Sequence, residues 1–457
     1  MEPISLDPAS QWDQATTQVL FNVYDTLVKI DPKSFKILPS LAVNWKAERD
    51  GKVWVFILRR GVKFSNGKPL TSEDVVFSFR RLLKKEAGKF FFYFLKDVKA
   101  EGPYKVVFSL KKKFSPFLHV LTMVQASVVY GKDGKFKPIG TGPYMVSLWE
   151  KGKRMILKKN PYYWGLTGNV NKIVLIFNLS MNSIYALLMD GKLDMTNAIS
   201  VTRVDALKNS DKFHLHSFPV LSLAFLIFNP SDPWAKNLYL REALSYLWNP
   251  EWVKLSYREF RKPACRILTF HEKECLWEYN PRKAEKIIKS RGIKGKAELS
   301  LIYPENSLLT RMFLPFVRKA EEYGIRIRLF PVKDPDRLKI LARREYSMAY
   351  YLWLWDYPEP YSMLSFLLPE GKMPPYYPTL MSFPQSFLLR EKLQRALSII
   401  SQVERCKIYG SLESSIRKFY PLIPLHQLKL SIFSSSRVKG IFIDPAGILR
   451  YQYLNKE

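Results

Sequence analysis

Asp50-Gly51-Lys52-Val53-Trp54-Val55-Phe56-Ile57-Leu58-Arg59-Arg60-Gly61-Val62-Lys63-Phe64, continued after Ser65-Asn66 by Gly67-Lys68-Pro69-Leu70-Thr71-Ser72-Glu73-Asp74-Val75-Val76, holds a strand, a turn and a helix start. Val53 to Leu58 is apolar at every position, which reads as a strand buried on both faces. Asn66-Gly67 supplies the turn, because both residues tolerate positive φ. Thr71-Ser72-Glu73-Asp74 then opens a helix in the manner of a capping box. That helix carries Val75, Phe79, Leu82 and Leu83 on one face. It ends in Lys84-Lys85, cations that suit the negative end of the helix dipole.

Outward from this stretch the same mixed α/β pattern continues. Ser183 to Asp190 reads as a helix stopped by Gly191. Pro281 to Arg291 has proline at its first position, Asn280 as cap and Gly292 as stop. Ser307 to Tyr323 carries Met312, Phe313, Phe316, Val317 and Ala320 on one face and stops at Gly324. Strand 297–303, this helix and the alternating Ile325-Arg326-Ile327-Arg328-Leu329 predict a βαβ unit with a parallel pair and a right-handed crossover. No internal repeat or low-complexity linker interrupts the pattern.

An apolar content of 47% with 25% charged residues is that of an ordinary globular protein, so disorder is not expected. The supply of 11 Trp, 25 Tyr and 30 Phe fills cores or lines ligand clefts, with core packing accounting for most. The excess of 72 Lys+Arg over 41 Asp+Glu gives a formal charge of +31. Such a charge suits nucleic acid, anionic lipid or simply a basic proteome. The cations are spread along the chain in short runs such as Lys111-Lys112-Lys113, without an arginine-rich arm, zinc-finger spacing or RNP-type motif, so no nucleic acid is expected as partner.

Cys265, Cys275 and Cys406 cannot form a disulfide framework. Cys265 and Cys275 are close enough in sequence to close a small loop in an oxidising compartment, or both remain thiols. The longest apolar stretch, Pro219 to Phe228, falls short of the roughly 20 residues that span a bilayer. Met1-Glu2-Pro3 leads straight into folded-looking sequence with no signal peptide, so the chain is cytosolic or has been separated from its leader; the motifs below favour the second.

Catalytic constellations are missing from the pattern. His271-Glu272 lacks the second histidine of the zinc motif H-E-x-x-H, and no nucleophile elbow, phosphate loop or dinucleotide fingerprint occurs. Gly140-Thr141-Gly142-Pro143-Tyr144 has a proline that removes a backbone donor and no Lys-Ser/Thr after it, so it reads as a tight turn. No enzyme activity, metal or cofactor is expected.

A longer set of segments runs in order along the chain. Ser5-Leu6-Asp7-Pro8 precedes Asn22-Val23-Tyr24-Asp25-Thr26-Leu27-Val28, then Leu38-Pro39-Ser40-Leu41-Ala42 with Trp45, and the stretch quoted first. Gly140-Thr141-Gly142-Pro143-Tyr144, Trp149, Asn160-Pro161-Tyr162-Tyr163-Trp164 and Gly191-Lys192-Leu193-Asp194 follow. Phe228-Asn229, Arg241-Glu242-Ala243-Leu244, Gly324-Ile325, Pro421-Leu422-Ile423-Pro424-Leu425 and Val438-Lys439-Gly440 complete the series. In this ordered set the chain resembles the family 5 solute-binding proteins, the dipeptide and oligopeptide receptors of bacterial ABC importers. The resemblance implies an α/β, periplasmic binding protein-like fold (type II, cluster C), with two lobes, a hinge and a small inserted domain. Lobe I would comprise 1–38, 139–228 and 428–457, the inserted domain 39–138, and lobe II 229–427, with hinge strands near Asn229 and Gln427. Relatives carry a leader and a further strand before the Leu-Asp-Pro element. Here neither precedes Ser5, which implies truncation or a first lobe lacking that strand.

The same resemblance implies the site. Short peptides would lie extended in the interlobe cleft, held by main-chain hydrogen bonds and tolerant pockets. The ammonium needs a carboxylate, since burying it unpaired costs several kcal/mol. Trp353-Leu354-Trp355-Asp356-Tyr357-Pro358 matches the segment that carries the family's amine-binding aspartate, so Asp356 is the expected anchor. An aspartate opening a proline-rich turn can also cap backbone N–H groups. Trp353 and Leu354 would contribute backbone groups and an aromatic wall, Trp12 and Gln14 would face them from the opposite lobe, and Asn229 would lie at the hinge. Where relatives place arginines for the ligand carboxylate, this chain has Tyr303 and Tyr350, and a phenol cannot neutralise a carboxylate. Arg343, Arg344 or Arg311 would then hold the C-terminus, or it would lie near solvent, with the overall positive charge steering an anionic ligand. The partners implied are short peptides and ABC permease subunits in the inner membrane, for a monomer at the outer face of that membrane. Murein peptide, a metal chelate, haem or a sugar on the same fold, or a basic surface protein without a transport role, are the alternatives.

Overall fold

Val53–Leu58 is a strand in the computed structural model, but its second face is buried only in part: Val55 is 5% exposed and Ile57 41%. The structure describes residues 2–457 except 11–12, 32–33, 133, 199–202, 270–274, 371–374 and 378. The strand joins an antiparallel sheet in the order Ala42–Glu48, Val53–Leu58, Lys105–Leu110, Leu95–Ala100. Antiparallel sheets tolerate one face toward water, and here Trp54, Phe56 and Leu58 take the covered face. On that face Phe56 meets Phe108 edge-on at 5.4 Å, Phe108 meets Phe79 at 4.9 Å, and Phe94 stacks on Phe114 at 3.8 Å. Much of the chain's phenylalanine is therefore core.

Helix Ser72–Leu83 supplies Phe79 and is started as its sequence requires, the Asp74 carboxylate accepting from Thr71 N (2.8 Å) and Oγ1 (3.1 Å). Its other buried apolar residues are Val75, Val76 and Leu82, while Leu83 is half-buried. The turn before it uses Gly67 at φ +81°, with Phe64 N donating to Lys68 O at 2.8 Å. Asp7 pairs with Arg81 of this helix through the two terminal guanidinium nitrogens, and Tyr24 Oη donates to Leu6 O at 2.9 Å. That is what fixes the Leu6-Asp7-Pro8 element.

By internal packing the chain divides into two units. The first holds 1–218, 356–358 and 431–457; the second holds 219–355 and 359–430. In the first unit, besides the four-stranded sheet, Tyr144–Glu150, Arg154–Lys159 and Lys172–Ile176 form a three-stranded antiparallel sheet. Helix Gln14–Val23 is tied to the C-terminal tail by reciprocal amide bonds. Gln18 Nε2 donates to Leu449 O (2.7 Å) and Leu449 N to Gln18 Oε1 (3.0 Å), while Tyr451 N donates to Asn22 Oδ1 (2.8 Å). Helix Met181–Met189, capped by Ser180, begins two residues before its expected start.

The second unit is built on Ser222–Phe228, buried at every residue, which explains the longest apolar stretch of the sequence as a central strand. Among the described residues no helix is long and apolar enough to cross a membrane. Met348–Leu354 pairs antiparallel to this strand and parallel to Glu298–Pro304, which in turn runs parallel to Arg326–Val332. Helix Ser307–Glu322, capped by Asn306, connects that last pair, so the βαβ unit is present with ends shifted by a residue or so. Helix Pro281–Ser290 has Asn280 as cap, its side chain accepting from Lys283 N.

Cys265 and Cys275 are joined by a disulfide, Cα atoms 5.1 Å apart. The base of that loop is held by Glu413, fully buried, which accepts from Ile267 N (2.6 Å) and Leu268 N (3.0 Å) and pairs with Arg266 (2.7 Å). His271 and Glu272, considered as part of a zinc motif, lie outside the described residues.

Candidate functional site

Asp25 follows the first helix, beyond an extended Tyr24 that ends it. The turn read as Gly140-Thr141-Gly142-Pro143-Tyr144 presses on this point. A Cβ on Gly140 would sit 2.1 Å from Val23 O and one on Gly142 2.6 Å from Val23 C, so only glycine allows the approach. The approach brings Thr141 Oγ1 to 2.8 Å from Asp25 Oδ2. Trp164, from the Asn160-to-Trp164 segment, donates its Nε1 to the same oxygen at 3.0 Å. That segment is itself locked down by Asn160, whose Nδ2 donates to Gly142 O at 2.8 Å. Oδ1 of Asp25 carries no hydrogen bond among the described residues.

Asp25 opens onto a cavity of about 500 Å³ whose lining belongs entirely to the first unit. Asp356, Tyr357 and Pro358 form part of that lining, together with the tail loop that runs from Gly440 to Tyr453. The tail loop is shaped by Asp444, whose Oδ1 accepts from Ala446 N and Ile448 N at 3.0 Å and whose Oδ2 accepts from Arg450 Nε at 2.8 Å. Arg450 also donates to Phe21 O (3.1 Å) and lies 4.4 Å over the Phe21 ring. The charged groups of the lining are Asp25, Lys29, Asp31, Asp356, Asp444 and Arg450. Aromatic rings, among them Tyr163, Trp164, Tyr357, Phe442 and Tyr453, supply much of the remaining wall. Burial pushes the Asp25 carboxyl above its ordinary range, opposed by the Trp164 and Thr141 hydrogen bonds and by the charges of Arg450 and Lys29.

Of the expected ligand residues, Asp356 is the one this lining includes. Tyr303 is fully buried, its hydroxyl 2.9 Å from Thr310 Oγ1, and Tyr350 lies in the same core of the second unit with its hydroxyl 3.4 Å from His426 Nε2. Trp353 is half-buried and stacks on Phe366 at 3.8 Å, and Leu354 is half-buried opposite Ser222. Asn229 is buried, its Nδ2 donating to Arg344 O (2.9 Å) and Tyr346 O (2.8 Å). Gln14 is exposed at the first helical position, and Trp12 lies outside the described residues. Arg311, Arg343 and Arg344 are exposed, with Arg344 donating to Ser382 Oγ at 2.8 Å.

Sequence reasoning missed Asp25, Lys29 and Arg450. Asp25 and Trp164 both stood inside quoted motifs, but their meeting depends on the Gly140–Gly142 approach. Nothing in the local pattern of Asp444 to Arg450 marks it as a cavity wall.

Residues 36–374 match the model of the bacterial extracellular solute-binding proteins, family 5 (middle region). The chain is 25% identical over 480 residues to the "Probable D,D-dipeptide-binding periplasmic protein DdpA" of Escherichia coli K12, covering 97% of this chain and 90% of that protein. It superposes on the structure of NikA from Brucella suis with Fe(III)-EDTA at a TM-score of 0.88 and 18% identity, covering 100% of this chain and 99% of the other. For the periplasmic binding protein DppA from Helicobacter pylori in complex with the peptide STSA, the TM-score is 0.79 at 23% identity, over 100% and 96%. At these identities the two structural likenesses speak for the fold, that of a type II periplasmic binding protein.

Proposed function

The chain belongs to the bacterial extracellular solute-binding proteins of family 5, and on that premise we propose that it captures short peptides outside the cytoplasm and delivers them to the permease of an ABC importer. Support comes from one observation above the others: Asp356 lines a cavity walled by aromatic rings. Wall and carboxylate together suit an ammonium drawn out of water, which needs a charge-assisted hydrogen bond to offset its desolvation. Peptide-binding relatives, periplasmic by name, favour the same reading. The family's members are substrate-binding transport proteins rather than enzymes.

For the ligand carboxylate the cations at hand are Lys29 and Arg450 rather than Arg311, Arg343 or Arg344. Arg450 is committed to Asp444 and Phe21 O, so Lys29 is the proposed partner. The division into lobe I (1–38, 139–228, 428–457), inserted domain (39–138) and lobe II (229–427), and the monomeric state, are parts of the same proposal. The test is native purification followed by mass spectrometry of whatever is carried along. The chain is expected to bring short peptides, and Asp356→Ala to bring far less. Equal amounts of peptide in both preparations would remove Asp356 from the site.

A further inference from the structure

The cavity lining is richer in acidic groups than the protein that contains it. The chain has 72 basic and 41 acidic residues, so six charged groups drawn at random would be mostly cations. The lining instead has four carboxylates, Asp25, Asp31, Asp356 and Asp444, and two cations, Lys29 and Arg450. Asp444 and Arg450 neutralise each other. Groups in the wall act on a bound ligand directly, whereas fields from the surface are screened over about 8 Å at physiological ionic strength.

Asp25 makes the imbalance specific. Its Oδ2 is spent on Thr141 and Trp164, neither of which brings a charge. Its Oδ1 is left without a hydrogen bond among the described residues. Tyr163 and Trp164 line the same wall, Trp164 turning its N–H edge to the carboxylate while the Arg59 guanidinium covers its ring at 4.5 Å. A carboxylate with one unspent oxygen beside aromatic walls is a receptor for an ammonium or guanidinium group.

Resting on the peptide reading of this cavity, we infer that Asp25 selects peptides with a basic side chain, taking that side chain's cation while Asp356 takes the terminal amine. The ligand class is thereby narrowed from short peptides to lysine- or arginine-bearing ones. A glutamate-bearing peptide would place its side chain among carboxylates and be rejected.

Isothermal titration of the dialysed full chain with trialanine, the three single-lysine tripeptides of lysine and alanine, and the three single-glutamate ones tests this. The best lysine isomer is expected to bind at least about tenfold more tightly than trialanine, a difference a single charge-assisted pair supplies, and the glutamate isomers more weakly than trialanine. Asp25→Asn keeps an acceptor for Thr141 and Trp164 but removes the charge, and should erase the lysine preference. Should that variant not fold, as judged by circular dichroism, the wild-type ranking decides alone. Equal binding of the lysine peptides and trialanine overturns the inference and leaves the peptide reading standing, whereas no binding of any tripeptide overturns both. A lysine preference that survives in Asp25→Asn overturns the role given to Asp25.

Discussion

Asp25 in the first unit, half-buried on a cavity wall, and Glu413 in the second, fully buried, differ in how their carboxylate oxygens are used. Glu413 fills both: Oε1 takes Ile267 N and Leu268 N, and Oε2 takes the Arg266 guanidinium. Asp25 fills one, with two neutral donors. A saturated, charge-paired carboxylate has nothing left to offer a ligand and acts as a staple, here for the loop that the Cys265–Cys275 disulfide closes. A half-used carboxylate on a cavity wall retains binding capacity at the expense of its own desolvation.

The largest effect that would break the contrast is on stability. Glu413→Ala removes the buried carboxylate that pairs with Arg266 and accepts from two backbone N–H groups, and is expected to cost about 3–5 kcal/mol, read as a lower urea midpoint at unchanged slope. Asp25→Asn is expected to change stability by less than about 1 kcal/mol, because its amide oxygen still accepts from both donors. If the two substitutions cost the same, the distinction between staple and receptor collapses. Next comes affinity: Asp356→Ala should weaken a bound tripeptide by about 2–5 kcal/mol, the usual loss when one partner of a buried charge pair is truncated. Calorimetry against trialanine measures it. Glu413→Gln, whose change lies in a different unit of the chain, should leave that affinity within about twofold, a difference below 0.5 kcal/mol.

How much of this was legible in the sequence depends on the range of the interactions involved. The helix Ser72–Leu83 and its cap were readable because Thr71 and Asp74 act on one another three residues apart. The βαβ unit was readable for the same reason, each element carrying its own cap and stop. Ile57 was misjudged because the covering of a sheet face is decided by elements elsewhere in the chain, not by the strand's own alternation. Asp356 was singled out only through the resemblance, since a local reading makes it a turn residue. Asp25 gave no signal as a charged site, because its donors Thr141 and Trp164 are more than a hundred residues away in sequence. Tyr303 and Tyr350 illustrate the reverse. Their alignment with functional positions pointed to the ligand, whereas their depth beside Phe313 assigns them to core packing.

The smallest expected effect, and the one that bears most directly on the contrast, is on pH dependence. Burial raises the Asp25 carboxyl from the ordinary 3.8, so between that value and its folded value the native state holds a proton that the unfolded chain has lost. Stability contributed by this group therefore falls as pH rises through the window, since the unfolded state binds fewer protons there. Cation binding runs the other way, because it requires the ionised form. The lysine preference should be absent at the acid end of the window and appear as pH rises through it. The groups that face Asp25 and temper the shift are Trp164 and Thr141 by hydrogen bonds and Arg450 and Lys29 by charge. Titrating the ratio of lysine-peptide to trialanine affinity against pH, in wild type and in Asp25→Asn, isolates the term, because the Asp356 contribution divides out. A ratio that is flat in the variant and rises with pH in the wild type is expected. A rise of the same size in both would place the titrating group elsewhere on the wall and make Asp25 a second staple.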